Sequence, residues 1–341
     1  MKETVKIGVI GAGRLGKLHI EHLAKSVPGA ELIGIADIMA NDELIQWAAE
    51  LGIKDVYTDP YALINRSDLD AVVICSSTDT HIELMVAAAE AGKDIFLEKP
   101  IGLDIEKVLD GIKAVEKSGV KIQMGYVRRF DHNYRKVRET VACGKLGKEH
   151  IIKITTKDAC PPTFEYAKVS GGLFMDMSIH DFDMARCLSG SEVEEVSAFG
   201  TVMTDPKLEE IGDIDVATTM LRMKNGVLCI IDNVRKSGYG YDLRCEVQCE
   251  NGCVQSNNDS PTTTVVSTME GIVSDIPKWF FLERFEEAFR DELISFVDDI
   301  RNDRTPQIGL KDGLASMLIA KAAEKSLKER RIVKMSEYSI I

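Results

Sequence analysis

The stretch VIGAGRLGKLH places Gly11-x-Gly13-x-x-Gly16 between a run of β-favouring apolar residues and a helical pattern. This arrangement constrains the fold tightly. Gly11 permits a sharp turn out of a strand, Gly13 lets the backbone pass close to a bound group, and Gly16 lets helix and strand pack closely. The helix then presents unsatisfied N-terminal N–H groups to a phosphate. The following strand, ELIGIADI, carries Asp37 near its end, 21 residues after Gly16. A carboxylate there accepts hydrogen bonds from the ribose hydroxyls of NAD and repels the 2′-phosphate of NADP. NAD is therefore the expected cofactor.

The runs VKIGVIGAG, ELIGIADI, DAVVICSS, KDIFLEKP and VKIQMG show no polar alternation. Helical patterns such as HIELMVAAAEAGK and IEKVLDGIKAVEKSG separate them, as in a parallel sheet covered on both faces. After about residue 125 strand-like runs follow one another, beginning with EHIIKITTK and EVEEVSAFGTVM. Asn225-Gly226 and Asn251-Gly252 lie between apolar runs and signal hairpins. The expected architecture is α/β, with an N-terminal doubly wound parallel sheet over 1–124. A C-terminal α/β domain over 125–341 follows, with a large, mostly antiparallel sheet and two closing helices near 279–303 and 310–330. A length of 341 residues suits two cores.

The formal net charge of −13 argues against nucleic acid or an anionic membrane surface as a partner, since both select clustered Lys and Arg. No secretory leader or long apolar span is legible, and a cytoplasmic location is expected. The eight cysteines contain no Cys-x-x-Cys pair, and Cys245, Cys249 and Cys253 lie on strand and turn, so reduced structural thiols are expected. His19 and His22, three residues apart on the first helix, lack an accompanying ligand set and read as helix-surface residues. No metal site is expected.

The segment GGLFMDMSIHDFDMARCL sets acidic groups and a histidine among large apolar residues. On an α-helix, Asp176, His180, Asp183 and Cys187 fall on one stripe, while Phe174, Met175, Ile179 and Phe182 cover much of the remaining circumference. Ionisable groups on such a helix face a partner or a cavity. A structural Asp–His brace and a catalytic pair both satisfy that requirement.

FLEKP at 96–100, GYVRRFD at 125–131 and GGLFMDMSIHDFD follow the glycine turn in an order and spacing that resemble the Gfo/Idh/MocA oxidoreductases. GYVRRFDHNY, Asp176-x-x-x-His180-x-x-Asp183 and YGYDLRCEV are most similar to the members of that family that oxidise inositols. The resemblance covers essentially the whole chain. It implies an N-terminal Rossmann domain holding NAD through Gly11, Ala12, Gly13, Arg14, Leu15, Gly16 and Asp37, with Ser76, Ser77, Thr78, His81, Glu98 and Lys99. It further implies Lys99, Asp176 and His180 as catalytic residues. Lys99, Arg129, Asp158, Asp176, His180, Asp183 and Tyr239 would contact a small polyol or sugar, with Arg128 and Tyr241 as alternatives to their neighbours. A homotetramer is implied by the resemblance alone.

The implied chemistry suits these residues. Oxidation of an alcohol by NAD takes a hydride from carbon and a proton from oxygen, and it needs a base working near neutral pH. Histidine has that property without special tuning, so His180 is the expected base. Asp176 would orient it, and Lys99 would hydrogen-bond the reacting oxygen and stabilise alkoxide charge. The expected reaction is oxidation of an inositol hydroxyl to a ketone. Two other readings stand beside it: an aldose or other sugar dehydrogenase using the same residues, and a non-catalytic NAD(H)-binding sensor.

Overall fold

A computed structural model describes residues 3–338. It divides the chain into two compact units, one running up to Phe130 and including Glu287–Leu314, the other Asp131–Glu286 with the residues from Ala315 onward.

The first unit is built on a six-stranded sheet of β1 (Val5–Ile10), β2 (Ala30–Ala36), β3 (Val56–Tyr57), β4 (Ala71–Ile74), β5 (Asp94–Glu98) and β6 (Ile122–Gly125). The strand order is β3-β2-β1-β4-β5-β6 and every pair is parallel. The order reverses between β1 and β4, the topological switch point at which such sheets bind nucleotides. The helices are α1 (Arg14–Lys25), α2 (Asp42–Glu50), α3 (Pro60–Ile64), α4 (His81–Glu90) and α5 (Ile105–Glu116).

A later helix, Glu286–Arg301, belongs almost wholly to this unit, although the sequence assigned everything after residue 124 to the second domain. Its Leu293, Phe296 and Val297 join the core formed by Val5, Ile7, Ile20, Ile35 and Phe96. Full burial of such side chains contributes roughly 1.5–3 kcal/mol each, which decides where the helix packs.

The second unit contains α6 (His132–Ala142), β7 (Glu149–Lys157), α7 (Phe164–Ala167), α8 (Ile179–Ser189), β8 (Val193–Thr201), β9 (Val216–Met223), β10 (Leu228–Val234), β11 (Asp242–Cys249) and β12 (Gly252–Ser256). There follow the hairpin β13 (Val265–Thr268) and β14 (Gly271–Ser274), α9 (Phe281–Arg284), the helix above as α10, α11 (Leu310–Glu329) and β15 (Val333–Lys334). Its seven-stranded sheet has the order β12-β11-β7-β10-β9-β8-β15, and only the β7–β10 pair is parallel. Both Asn-Gly signals form the expected hairpin turns, between β9 and β10 and between β11 and β12. Alternating burial along β9 and β11 marks a sheet with one covered face. Among the described residues, no helix is long and apolar enough to cross a membrane.

Candidate active site

In the first unit the predicted nucleotide residues gather at the carboxyl ends of β1, β2, β4 and β5. Gly11 has φ +96°, and a Cβ there would stand 2.7 Å from the backbone at Cys75 and Ser76. At Gly16 a Cβ would lie 2.0 Å from the Gly11 carbonyl oxygen, so helix and turn meet only because it is absent. Gly13 differs, with open space around its Cβ position. It precedes α1, whose first turn contains no acidic residue and no side-chain cap. Ala12, Arg14 and Leu15 complete this uncapped turn. The start of α1 beside this open space fits the pyrophosphate of a dinucleotide.

Asp37 accepts hydrogen bonds from the N–H groups of Ala12 (2.6 Å) and Met39 (2.8 Å). The carboxylate thus ties the glycine turn to the end of β2 and retains lone pairs for a ribose diol. Beyond β4, the Ser76 and Thr80 hydroxyls lie 2.7 Å apart, and Thr80 donates to the Ser77 carbonyl. Ser77 and Thr78 enter a short 3₁₀ turn without capping it.

His81, expected from the resemblance to contact cofactor, is buried, with ring nitrogens 2.8 Å from the Pro100 carbonyl oxygen and 3.1 Å from that of Ser76. Burial pushes its pKa below the ordinary histidine value. The neutral ring carries one N–H and donates to one of these two carbonyls, and it packs the Lys99–Pro100 turn against the end of β4. Glu98 likewise turns inward, with Oε1 2.8 Å from His19 Nε2. His19 is fully buried, which corrects its reading as a helix-surface residue. His22, on the same helix, is half-buried. Lys99 is half-buried at the strand end.

Arg128 and Arg129 occupy a 3₁₀ turn at Val127–Arg129, not a strand that would alternate their side chains. Arg128 is buried, whereas Arg129 is partly exposed and donates to Asp312 Oδ1 at 3.0 Å.

In the second unit the polar helix is not the uniform α stripe expected from its spacing. Residues Phe174–Ser178 form a π-helical turn, and α8 begins at Ile179. The polar side chains of this turn and of the start of α8 are tied to neighbouring elements. Asp176 Oδ1 accepts from the Tyr166 hydroxyl at 2.8 Å, and Oδ2 from Arg235 Nη1 at 3.1 Å. Arg235 is 1% exposed and its Nη2 lies 3.7 Å from Asp213. On the other side Ser178 donates to Asn233, and Asp181 accepts from Thr156 (2.7 Å) and Asn233 (2.8 Å). His180 is half-buried beside Asp181, while Asp183 is 1% exposed. Single π turns of this kind concentrate at functional sites.

Asp158 directly follows β7, and its N–H donates to the carbonyl of Val234, the last residue of β10. It therefore shares the carboxyl end of the parallel β7–β10 pair with Arg235. Tyr239 and Tyr241 precede β11 and do not share a strand face. Tyr241 is buried edge-on to Phe285, whereas Tyr239 is 42% exposed and donates to Asp242 at 2.5 Å. Arg235, Asp181 and Tyr166 hold this polar segment in place, and spacing in the sequence pointed to none of them. A charged residue at the end of the apolar run LCIIDNVR was the one available signal for Arg235. None of the eight cysteines is paired in a disulfide, and Cys245 and Cys249 are buried on their strand.

Residues 5–126 match the model of an oxidoreductase family described as an NAD-binding Rossmann fold, and residues 134–255 match the GFO/IDH/MocA C-terminal domain. The chain is 42% identical to a myo-inositol 2-dehydrogenase of Thermotoga maritima, over 98% of this chain and 99% of that one. It is 36% identical to the scyllo-inositol 2-dehydrogenase (NAD(+)) of Bacillus subtilis, over 96% and 95%. A crystal structure of scyllo-inositol dehydrogenase from Lactobacillus casei, with bound NAD(H) and scyllo-inositol, superposes with a TM-score of 0.90 at 31% identity, covering 98% of this chain and 99% of that one.

Proposed function

The chain belongs to the GFO/IDH/MocA oxidoreductases, and on that premise we propose that it oxidises one hydroxyl of a cyclic polyol, a myo- or scyllo-inositol, to the 2-keto product with NAD. The observation that carries this choice is end-to-end similarity to relatives named for that reaction, with Lys99, Asp176 and His180 all present. NAD, when bound at the glycine turn, supplies the carbon that accepts the hydride.

His180 takes the proton of the reacting hydroxyl. The Lys99 ammonium donates a hydrogen bond to the same oxygen and stabilises its developing negative charge. Asp176 orients the base, and its own position is fixed by Arg235 and Tyr166. Asp183, Asp158, Arg129 and Tyr239 hydrogen-bond the remaining ring hydroxyls. A polyol ring needs several donors and acceptors held in place, because a misplacement of about 1 Å costs on the order of a hundredfold in rate. His81 and Glu98 serve the cofactor side by holding the turn that carries Lys99.

The test is NAD reduction, followed by absorbance, over a panel of inositols and aldoses. Turnover of myo- or scyllo-inositol at least about tenfold more efficient than of any aldose is expected. Preference for an aldose would move the assignment to a sugar dehydrogenase. Tight NADH binding with no turnover of any polyol or sugar would leave a sensor.

The same reading places the enzyme in the cytoplasm as a homotetramer. Its support is the set of eight cysteines outside any disulfide, together with exposed apolar surface in the second unit. Phe199 and Met220 lie open on the sheet, and Val265, Val266, Ile272 and Val273 lie open on the β13–β14 hairpin. Clustered exposed apolar side chains mark association surfaces.

A further inference from the structure

Three ionisable groups of the first unit meet in its interior, and the proposed chemistry uses none of them directly. His19 on α1 and Glu292 on α10 are fully buried, and Glu98 at the end of β5 is 6% exposed. One ligand atom from each lies within 4.8 Å of the other two. Their surroundings are aromatic: the His19 ring stands edge-on to Phe96 (5.5 Å) and Phe289 (5.7 Å), and Phe96 stands edge-on to Phe296. His19 Nε2 and Glu98 Oε1 are hydrogen-bonded at 2.8 Å, while neither carboxyl oxygen of Glu292 meets a hydrogen-bond partner among the described residues. Two ionised carboxylates this close in an apolar pocket repel each other. A proton on Glu292 removes that repulsion and converts Glu292 into a donor.

We propose that Glu292 is held as the neutral acid, and that the His19–Glu98–Glu292 cluster is a proton-retaining clamp that positions Lys99. Glu98 immediately precedes Lys99, and its Oε2 lies 3.3 Å from the Lys99 N–H. The same carboxylate packs on Gly125 at the end of β6, where a Cβ would stand 2.7 Å from Oε2. Through His19 it also grips α1, the helix that follows the glycine turn. One carboxylate thus connects α1, the Lys99 turn and β6, and Glu292 keeps it in place from α10.

Burial, followed by the charge of Glu98, raises the Glu292 pKa well above its ordinary value. The Cys75 thiol is also pushed up, by burial and then by the charges of Glu98 and Glu292. The other groups around Glu292 are His19 from α1 and the neutral Gln123 of β6, which donates to the Glu292 carbonyl. A divalent cation would also neutralise the cluster. The direct 2.8 Å contact between His19 and Glu98 and the aromatic walls suit a proton better than a metal, which needs further donors.

The proposal rests on the role given to Lys99, so its test has one arm independent of turnover. An acid whose pKa is higher folded than unfolded stabilises fully below the unfolded value, and that stability is lost as pH rises toward the folded value. Glu292→Gln keeps a neutral donor but does not titrate. The melting temperature of Glu292→Gln minus that of the wild type should therefore increase between pH 5.5 and pH 9, by roughly 3 °C or more. A difference that stays flat, or stoichiometric metal in the purified protein, would overturn the proton assignment, whether or not any polyol is turned over. In the second arm Glu292→Leu should lower kcat at least about tenfold with little change in KM or in NADH affinity. Glu292→Gln should restore what Leu loses. Equal kcat in the Leu variant and the wild type, or equal losses in Leu and Gln, would overturn the positioning role.

Discussion

Asp176 shows how a carboxylate on an apolar helix is put to use. Arg235 and Tyr166 take one oxygen each, so the group cannot wander, and His180 follows it by four residues. With His180 as the base, His180→Ala should cut turnover by a hundredfold or more, the usual scale of acid–base effects, while the NADH dissociation constant measured by fluorescence stays unchanged. At the cofactor end, Asp37→Ser removes the charge that repels a 2′-phosphate. The ratio of NAD to NADP efficiency should then fall by about tenfold or more, read from kcat/KM with each cofactor. Asp37 and His180 are proposed from motifs of fixed spacing. Arg235 was not legible in this way, since it lies 59 residues from Asp176 in the chain and a buried arginine leaves no periodic trace. His19 was misread for a related reason. Its partners come from β5 and α10, and helical spacing alone does not reveal that a polar residue has company inside.

The elements carry the site through a few buried attachments. Asp181 takes hydrogen bonds from Thr156 on β7 and Asn233 on β10, and this anchors the start of α8 to the parallel pair beneath it. Asp181→Ala would remove the acceptor that these two buried donors share, at a cost of about 2–5 kcal/mol. It should lower the denaturation midpoint in urea, and the loosened helix should lower kcat as well. Most elements were readable from sequence. Uniform apolar runs gave five of the six parallel strands, while the two-residue β3 is too short to show a period. Asn-Gly signals located the β9–β10 and β11–β12 hairpins but not β13–β14. The π turn at Phe174–Ser178 was invisible, because a sequence read at 3.6 residues per turn assumes the winding it is meant to detect. The 3₁₀ turn carrying Arg128 and Arg129 was not legible, since three residues after a buried strand carry no period of their own.

At the scale of the whole molecule, the chain builds two units from an interrupted order, with α10 returning to the first core after the second unit is under way. Sequence showed a change of pattern near residue 125, but an amphipathic helix does not declare which of two cores receives its apolar face. The homotetramer belongs to this scale. Light scattering on the eluting protein should give a mass of four chains, and Phe199→Glu with Met220→Glu should reduce it if the open sheet face is an interface. An unchanged mass would place the interface elsewhere. The central claim is that a hydride passes from the carbinol carbon of an inositol to NAD. Myo-inositol carrying deuterium on carbon 2, incubated with enzyme and NAD, tests it most directly by mass spectrometry of the cofactor. Reduced cofactor carrying one deuterium is the predicted result; reduced cofactor without label, or no reduced cofactor from either the myo or the scyllo isomer, would contradict it.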